Sequence, residues 1–251
     1  MKFSVVTVCF NSAAVLPHAL QSLQAQTFGD YEWVVVDGGS RDATMDLVRG
    51  FTAAPLNALS EPDAGIYDAM NKAIGRARGD YLYFLNSDDA LAGPLVLAEA
   101  AQAIDAAGQP GLLVGRVNFV GPQGSALRSY AHIGPHTVLF DSLCHQAVFA
   151  QRALFDGDRF GRFDTGYRLA ADFDWLARAI RARVPVAHTG LVVADFSAGG
   201  AHQQALETTR REMMAIRQRQ TQPLERALTH AWSWLKHKSR RLAGLPAQGR
   251  A

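Results

Sequence analysis

Two cysteines in 251 residues are too few for a disulfide framework. Cys9 falls in an apolar run that reads as a buried strand, and Cys144 is its only available partner, so a reducing, cytoplasmic setting is expected. Long hydrophobic runs are also missing: nothing approaches the ~20 residues that cross a bilayer, and the chain is expected to touch a membrane at most. The opening residues carry one lysine and the short run Phe3 to Phe10, without the length or small-residue cleavage site of a secretory signal. Neither a G-x-x-x-x-G-K-[ST] loop nor the full G-x-G-x-x-G fingerprint occurs, which weakens a phosphotransferase or dinucleotide-binding reading. Internal repeats and low-complexity segments are absent.

Net charge of one sign is lacking overall, at +2, but the distribution is uneven. Residues up to Gly200 hold 15 Lys and Arg against 20 Asp and Glu, and the remainder 10 against 3. An acidic body argues against a nucleic-acid partner. The basic tail interleaves Trp232, Trp234, Leu235 and Leu242 with Lys236, Lys238, Arg240 and Arg241, which suits an anionic membrane surface and equally a solvated basic helix. The expected organisation is a body over residues 1–200, divided into halves at 1–92 and 93–200, followed by a basic helical extension over 201–251.

Phe3-Ser-Val-Val-Thr-Val-Cys-Phe10 has the β-branched, nearly continuous apolarity of a central strand covered on both faces. Leu16, Leu20, Leu23 and Thr27 then recur at helical spacing, with Ser12 as an N-cap and Pro17 in the first turn. Glu32 to Val36 is a second buried strand and Asp42 to Phe51 a second helix, so the chain starts βαβα and predicts a parallel sheet. A short strand at 56–59 follows. Ile66, Met70, Ala73, Ile74 and Ala77 mark the buried stripe of a helix that Asp63 caps and Gly79 ends, and Tyr81 to Leu85 is the next strand. Beyond Pro94 come strands near 112–120, 145–150 and 184–196, a helix at 169–181, and helical sequence from Gln203, broken at Pro223. The fold class is α/β, a mostly parallel sheet flanked by helices with a C-terminal helical tail.

Ligands of open α/β sheets sit outside the carboxyl ends of the strands, where Asn11, Asp37-Gly-Gly-Ser40 and Asn86-Ser-Asp-Asp89 fall. Adjacent Asp88 and Asp89 supply hard oxygen ligands for Mg²⁺ or Mn²⁺, which would bridge the phosphates of a nucleotide diphosphate; taken alone they equally make a helix N-cap. Gly38 and Gly39 permit close backbone approach to a nucleotide, or make only a tight turn. Tyr67 and Asn71 lie one turn apart beside the helix stripe, near an N-terminus that favours an anion. On the later helix, 100° per residue puts Asp172 at the edge of the buried face and Asp174 well away from it, so Asp172 is the semi-buried candidate base, although a first-turn carboxylate also suits the helix dipole. His145 and His202 each read more readily as structural. His202 is kept as a candidate metal or phosphate ligand because Gly199 and Gly200 would let its loop close.

Together, Val34-Val-Val-Asp-Gly-Gly-Ser-Arg-Asp-Ala-Thr44, Glu61-Pro-Asp-Ala-Gly-Ile-Tyr-Asp-Ala-Met-Asn-Lys72, Phe84-Leu-Asn-Ser-Asp-Asp89, His145-Gln-Ala147 and Phe196-Ser-Ala-Gly-Gly200 resemble family 2 inverting glycosyltransferases of the GT-A fold. The likeness is strongest to enzymes of colanic acid and related exopolysaccharide assembly. It covers about Lys2 to Gly200 and implies a mixed, mostly parallel Rossmann-like sheet with a nucleotide-sugar half and an acceptor half. It further implies that Val8, Phe10 and Asp37 line the nucleoside pocket, that Asp88-Asp89 is the metal motif and that Asp172 is the base. Many relatives carry a second acidic residue where Gly38 stands, and an Asp where Asn86 stands; Asp89 is therefore the expected first metal ligand and Asp88 the second. The implied partners are a UDP- or GDP-linked sugar, a divalent cation, and a glycan or polyprenyl-diphosphate-linked acceptor. A nucleotidyl- or phosphotransferase and a non-catalytic sugar-nucleotide-binding scaffold are the other readings.

Overall fold

The computed structural model describes residues 1–121, 124–157, 160–197 and 205–221. His202 and the tryptophan-containing tail lie outside them. Strands β1 (Phe3–Cys9) and β2 (Tyr31–Asp37) are buried at every position, as expected of strands covered on both faces. Alternation sorts their side chains. Val6, Val8, Val34 and Val36 enter one core with helices α3 (Ile66–Arg76) and α5 (Ala171–Arg181). Phe3, Val5, Trp33 and Val35 enter the other, with α1 (Leu16–Gln24), α2 (Thr44–Arg49) and α4 (Val96–Ala106).

The remaining strands are β3 (Leu56–Ser60), β4 (Tyr81–Phe84), β5 (Ala90–Leu91), β6 (Leu112–Gly121), β7 (Gly124–Ser129), β8 (Val148–Gln151) and β9 (Val186–Ser197). They complete a nine-stranded sheet ordered β3-β2-β1-β4-β8-β6-β9-β5, with β7 paired to β6. The first four run parallel, β8 is antiparallel to both neighbours, and β9 is parallel to β6. Chain order reverses about β1: β2 and β3 build to one side, β4 to the other. That is the topological switch point at which such sheets bind ligands. The β5–β9 pair, Ala90 opposite Asp195, then brings the end of β9 against the acidic residues that follow β4.

Several local expectations are corrected. The α1 N-cap is Val15, and Ser12 instead accepts the Val15 and Leu16 N–H groups on its carbonyl. Gly65, not Asp63, caps α3, which ends at Arg76 before Gly79 is reached. Asp174 is buried at 2 % exposure rather than turned away from the body. The cause is α6 (Leu206–Gln220), which lies on α5: Gln220 Nε2 donates to Asp174 Oδ1 at 2.9 Å, and Arg178 Nε to Oδ2 at 2.8 Å. The spacing of apolar residues along one helix carries no information about a second helix laid over its outer face. Ile216 of α6 is fully buried, and Glu212 accepts the N–H groups of Arg168 and Leu169.

At the end of the sheet remote from the switch point, Glu32 is wholly buried and accepts from Ser4 Oγ and from the Arg78 backbone and guanidinium. Burial opposes its ionisation, but these donors hold its carboxyl below the ordinary range. Gly79 crosses there so closely that a Cβ would stand 2.4 Å from the Ser4 nitrogen. Gly79→Ala is therefore expected to push the backbone of β1, with a loss of about 1–3 kcal/mol of stability or more, read as a fall in urea midpoint. An unchanged midpoint would contradict the close approach.

Candidate active site

The turns after β1, β2 and β4 are tied together by side chains. Phe10 stands 61 % exposed just past the end of β1. Asn11 takes a left-handed backbone (φ 49°), a conformation that Asn tolerates; its N–H donates to Ser40 Oγ at 2.7 Å, and its Oδ1 accepts from the Arg41 N–H at 3.0 Å. Asp37 is fully buried and accepts from the Ser60 hydroxyl at 2.6 Å, the Ser40 and Gly39 N–H groups and the Ser40 hydroxyl. Burial would raise its carboxyl, but these donors keep it below the usual carboxylate range. Asp37 thus shapes the Gly38-Gly39 turn from inside. Directly over that turn, a Cβ on Gly38 would stand 2.7 Å from Asp63 Oδ2 and 3.3 Å from the Phe10 ring. A carboxylate and an exposed aromatic face therefore flank the glycine, which leaves them room.

The two acidic residues after β4 separate sharply. Asp89 is 1 % exposed, its Oδ1 accepting from the Ser197 N–H at 2.8 Å and its Oδ2 from Gln146 Nε2 at 2.7 Å. Burial, and next the charge of Asp88, push its carboxyl up to about 6. Asp88 is half-buried, and its carboxylate accepts no hydrogen bond from the described residues. Asp89 is thus occupied as an anchor between β9 and the turn before β8, whereas Asp88 has no such donors among the described residues. Among the described residues no group of three or more His, Cys, Asp or Glu side chains could enclose a metal.

Asp172 sits in the first turn of α5, with its side chain 19 % exposed. Tyr67 OH donates to its Oδ1 at 2.7 Å, and His145 Nδ1 bonds its Oδ2 at 2.8 Å. Burial opposes its charge, yet His145 first and then Tyr67 keep its carboxyl below the ordinary value. His145 Nε2 lies 3.4 Å from Asn86 Oδ1, so the histidine spans from the carboxylate to the loop that carries Asp88. Tyr67 is itself buried, packed 5.5 Å from the Phe163 ring, and its hydroxyl is pushed well above its ordinary value by burial and by Asp172. Asn71 uses both ends of its amide on the Phe163 backbone, at 2.9 Å each way, and so pins the segment leading to α5.

Among the residues singled out from the sequence, Phe10 and Asn11 are exposed and Gly38 and Asp88 half-buried at the strand ends, while Asp37, Asp89 and Tyr67 are buried and Val8 lies in the core beneath. The amino-acid sequence did not show the contact of His145 with Asp172, nor those of Gln146 and Ser197 with Asp89. The available signal was the position of His145-Gln-Ala147 among the ordered motifs; neither residue type nor spacing could show what their side chains reach.

Comparison with known proteins agrees with this architecture. Residues 4–158 match the family described as Glycosyl transferase family 2. The chain is 37 % identical over 180 residues to the PGL/p-HBAD biosynthesis glycosyltransferase of Mycobacterium bovis, covering 70 % of this chain and 68 % of that one. It is 29 % identical over 193 residues to the succinoglycan biosynthesis protein ExoO of Rhizobium meliloti, covering 70 % and 54 %. Two solved structures share the fold. TarS of S. aureus in complex with UDP-GlcNAc gives a TM-score of 0.69 at 22 % identity, over 93 % of this chain and 70 % of that one. The mannosyltransferase PcManGT of Pyrobaculum calidifontis, in complex with GDP-Man and Mn²⁺, gives 0.68 at 20 %, over 93 % and 69 %. The chain belongs to glycosyltransferase family 2, and its curled, mostly parallel sheet with flanking helices is the GT-A fold.

Proposed function

We propose that this glycosyltransferase moves a sugar from a UDP- or GDP-linked donor to a hydroxyl of a glycan or polyprenyl-diphosphate-linked acceptor in surface polysaccharide assembly, with inversion at the anomeric carbon. The observation that carries the reading is a hydrogen-bonded Asp172 carboxylate, held below its ordinary pKa, with His145 bridging from it to Asn86, two residues before Asp88. The donors held by the structural neighbours support the donor class, and the Mn²⁺ beside GDP-Man supports a divalent cation. The ExoO likeness supports a polysaccharide role.

In this reading Phe10, Asn11, Gly38 and Asp63 face the nucleoside. Residues 1–92 hold the donor and residues 93–200 the acceptor. Asp172 takes the proton of the acceptor hydroxyl as that oxygen attacks the anomeric carbon, and the bond to the donor diphosphate breaks in the same displacement. No sugar–enzyme bond forms. Asp88 is the side chain that would hold Mg²⁺ or Mn²⁺, which when bound offsets the charge gathering on the departing diphosphate. Asp89, Gln146 and Ser197 keep that loop in place. No helix among the described residues is long and apolar enough to cross a membrane. The basic, tryptophan-bearing tail would bring the protein to a lipid-linked acceptor by docking on anionic lipid.

Incubating the protein with a panel of UDP- and GDP-sugars, a polyprenyl-diphosphate-linked glycan and Mn²⁺ tests the reading by product mass and anomeric configuration. The expected result is nucleoside diphosphate released in step with an extended, inverted glycan, and loss of both on chelation. Binding of donor without turnover would instead favour a scaffold, and transfer of a phosphoryl or nucleotidyl group would overturn the assignment.

A further inference from the structure

We propose that His145 is a positioning residue for the transfer step: it fixes the orientation of the Asp172 carboxylate and its distance from the Asn86–Asp89 loop. The proposal rests on Asp172 being the base. A carboxylate at the first turn of a helix turns freely about its last torsion, because that rotor is broad and roughly two-fold. Here each oxygen has a different donor from a different element, Tyr67 OH of α3 at 2.7 Å on Oδ1 and His145 Nδ1 at 2.8 Å on Oδ2. Two donors on separate oxygens fix the plane of the group.

A carboxylate below its ordinary pKa can only accept, so Nδ1 of His145 carries the proton in this contact. The other ring nitrogen, Nε2, then reaches 3.4 Å from Asn86, two residues before Asp88. The imidazole is thereby a spacer of fixed length between the proton acceptor and the loop expected to bear the leaving group. Its own placement is rigid. Cys144 and His145 form the turn into β8, and the next residue, Gln146, is fully buried and bonded to Asp89. Among the described residues, the titratable groups that act on Asp172 are Tyr67 from α3 and Cys144 and His145 from this turn.

Losing the imidazole has two separable consequences. Orientation is lost, which slows the chemical step. At the same time Asp172 loses a donor that favours its charged form, so its pKa rises and protonation begins to inhibit at higher pH. A residue that only filled space would move neither quantity in this pattern.

The test compares His145→Ala, His145→Asn and Tyr67→Phe in full-length protein. Transfer rates are followed across pH with a turned-over nucleotide sugar, and UDP or GDP binding and melting temperature are measured in parallel. His145→Ala is expected to lower kcat by about 10- to 100-fold, as loss of supporting contacts does at other sites. Its donor KM should stay within about twofold, and the acid limb of kcat should move to higher pH. His145→Asn places an amide N–H near the position of Nδ1 and should recover most of the rate and the original acid limb. A wild-type rate and acid limb in His145→Ala would overturn the proposal, as would His145→Asn no better than His145→Ala at unchanged melting temperature. If both histidine variants melt early, Tyr67→Phe decides: an acid limb displaced upward supports orientation by paired donors, and an unmoved limb overturns it. An active Asp172→Asn would instead sink the reading of Asp172 as base, whereas an inactive Asp172→Asn beside a normal His145→Ala would sink this inference alone.

Discussion

Asp172→Asn is expected to lower turnover by about 10²- to 10⁴-fold, the span of a lost general base, while UDP or GDP affinity measured by calorimetry stays nearly constant. The amide has similar shape but cannot take the acceptor proton. It also offers a single acceptor oxygen to the two donors, Tyr67 OH and His145 Nδ1, that now share the carboxylate. Asp174→Asn is the matched control. Its carboxylate joins Arg178 and Gln220 beneath α6, so this variant should lower the melting temperature and leave the kcat of the folded protein close to wild type. The opposite outcome, with Asp174→Asn inactive and Asp172→Asn active, would place the base elsewhere.

Asp88→Asn is expected to abolish activation by Mn²⁺ or Mg²⁺, and Asp89→Asn to leave the cation concentration for half-activation nearly unchanged. The reason is occupancy: both oxygens of Asp89 are used by Ser197 and Gln146, whereas the half-buried Asp88 carboxylate has no such donors among the described residues. A pH consequence accompanies this. The Asp89 carboxyl stands at about 6, above its ordinary 3.8, so the folded chain binds this proton more tightly than the unfolded one. Its contribution to stability is therefore fully present below pH 3.8 and is lost as pH rises through about 6. The difference is on the order of 2–3 kcal/mol. Removing the neighbouring Asp88 charge lowers that pKa, so Asp88→Asn should melt higher than wild type at neutral pH without metal. A lower melting temperature, or retained cation activation, would show that Asp88 is not the free carboxylate.

The amino-acid sequence by itself determined the strand–helix order of the first 85 residues and which residue groups meet at the strand ends. Continuous β-branched runs such as Phe3 to Cys9 have few other ways to be buried, and parallel order follows from the helices between them. It also identified Asp172 as the semi-buried carboxylate of its helix. The short antiparallel contacts β5–β9 and β4–β8, and the β6–β7 hairpin, were decided in the tertiary structure because such brief segments carry too little periodicity to be distinguished from loops. The difference between Asp88 and Asp89 was decided there as well. Adjacent carboxylates are equivalent in sequence, and only the arrival of Ser197 and Gln146, 108 and 57 residues further along the chain, saturates one of them. The burial of Asp174 followed from α6 in the same way, and the pairing of His145 with Asp172 from a contact across 27 residues. Local periodicity fixes which face of an element is apolar, but what lies against each face depends on contacts between elements distant in the chain.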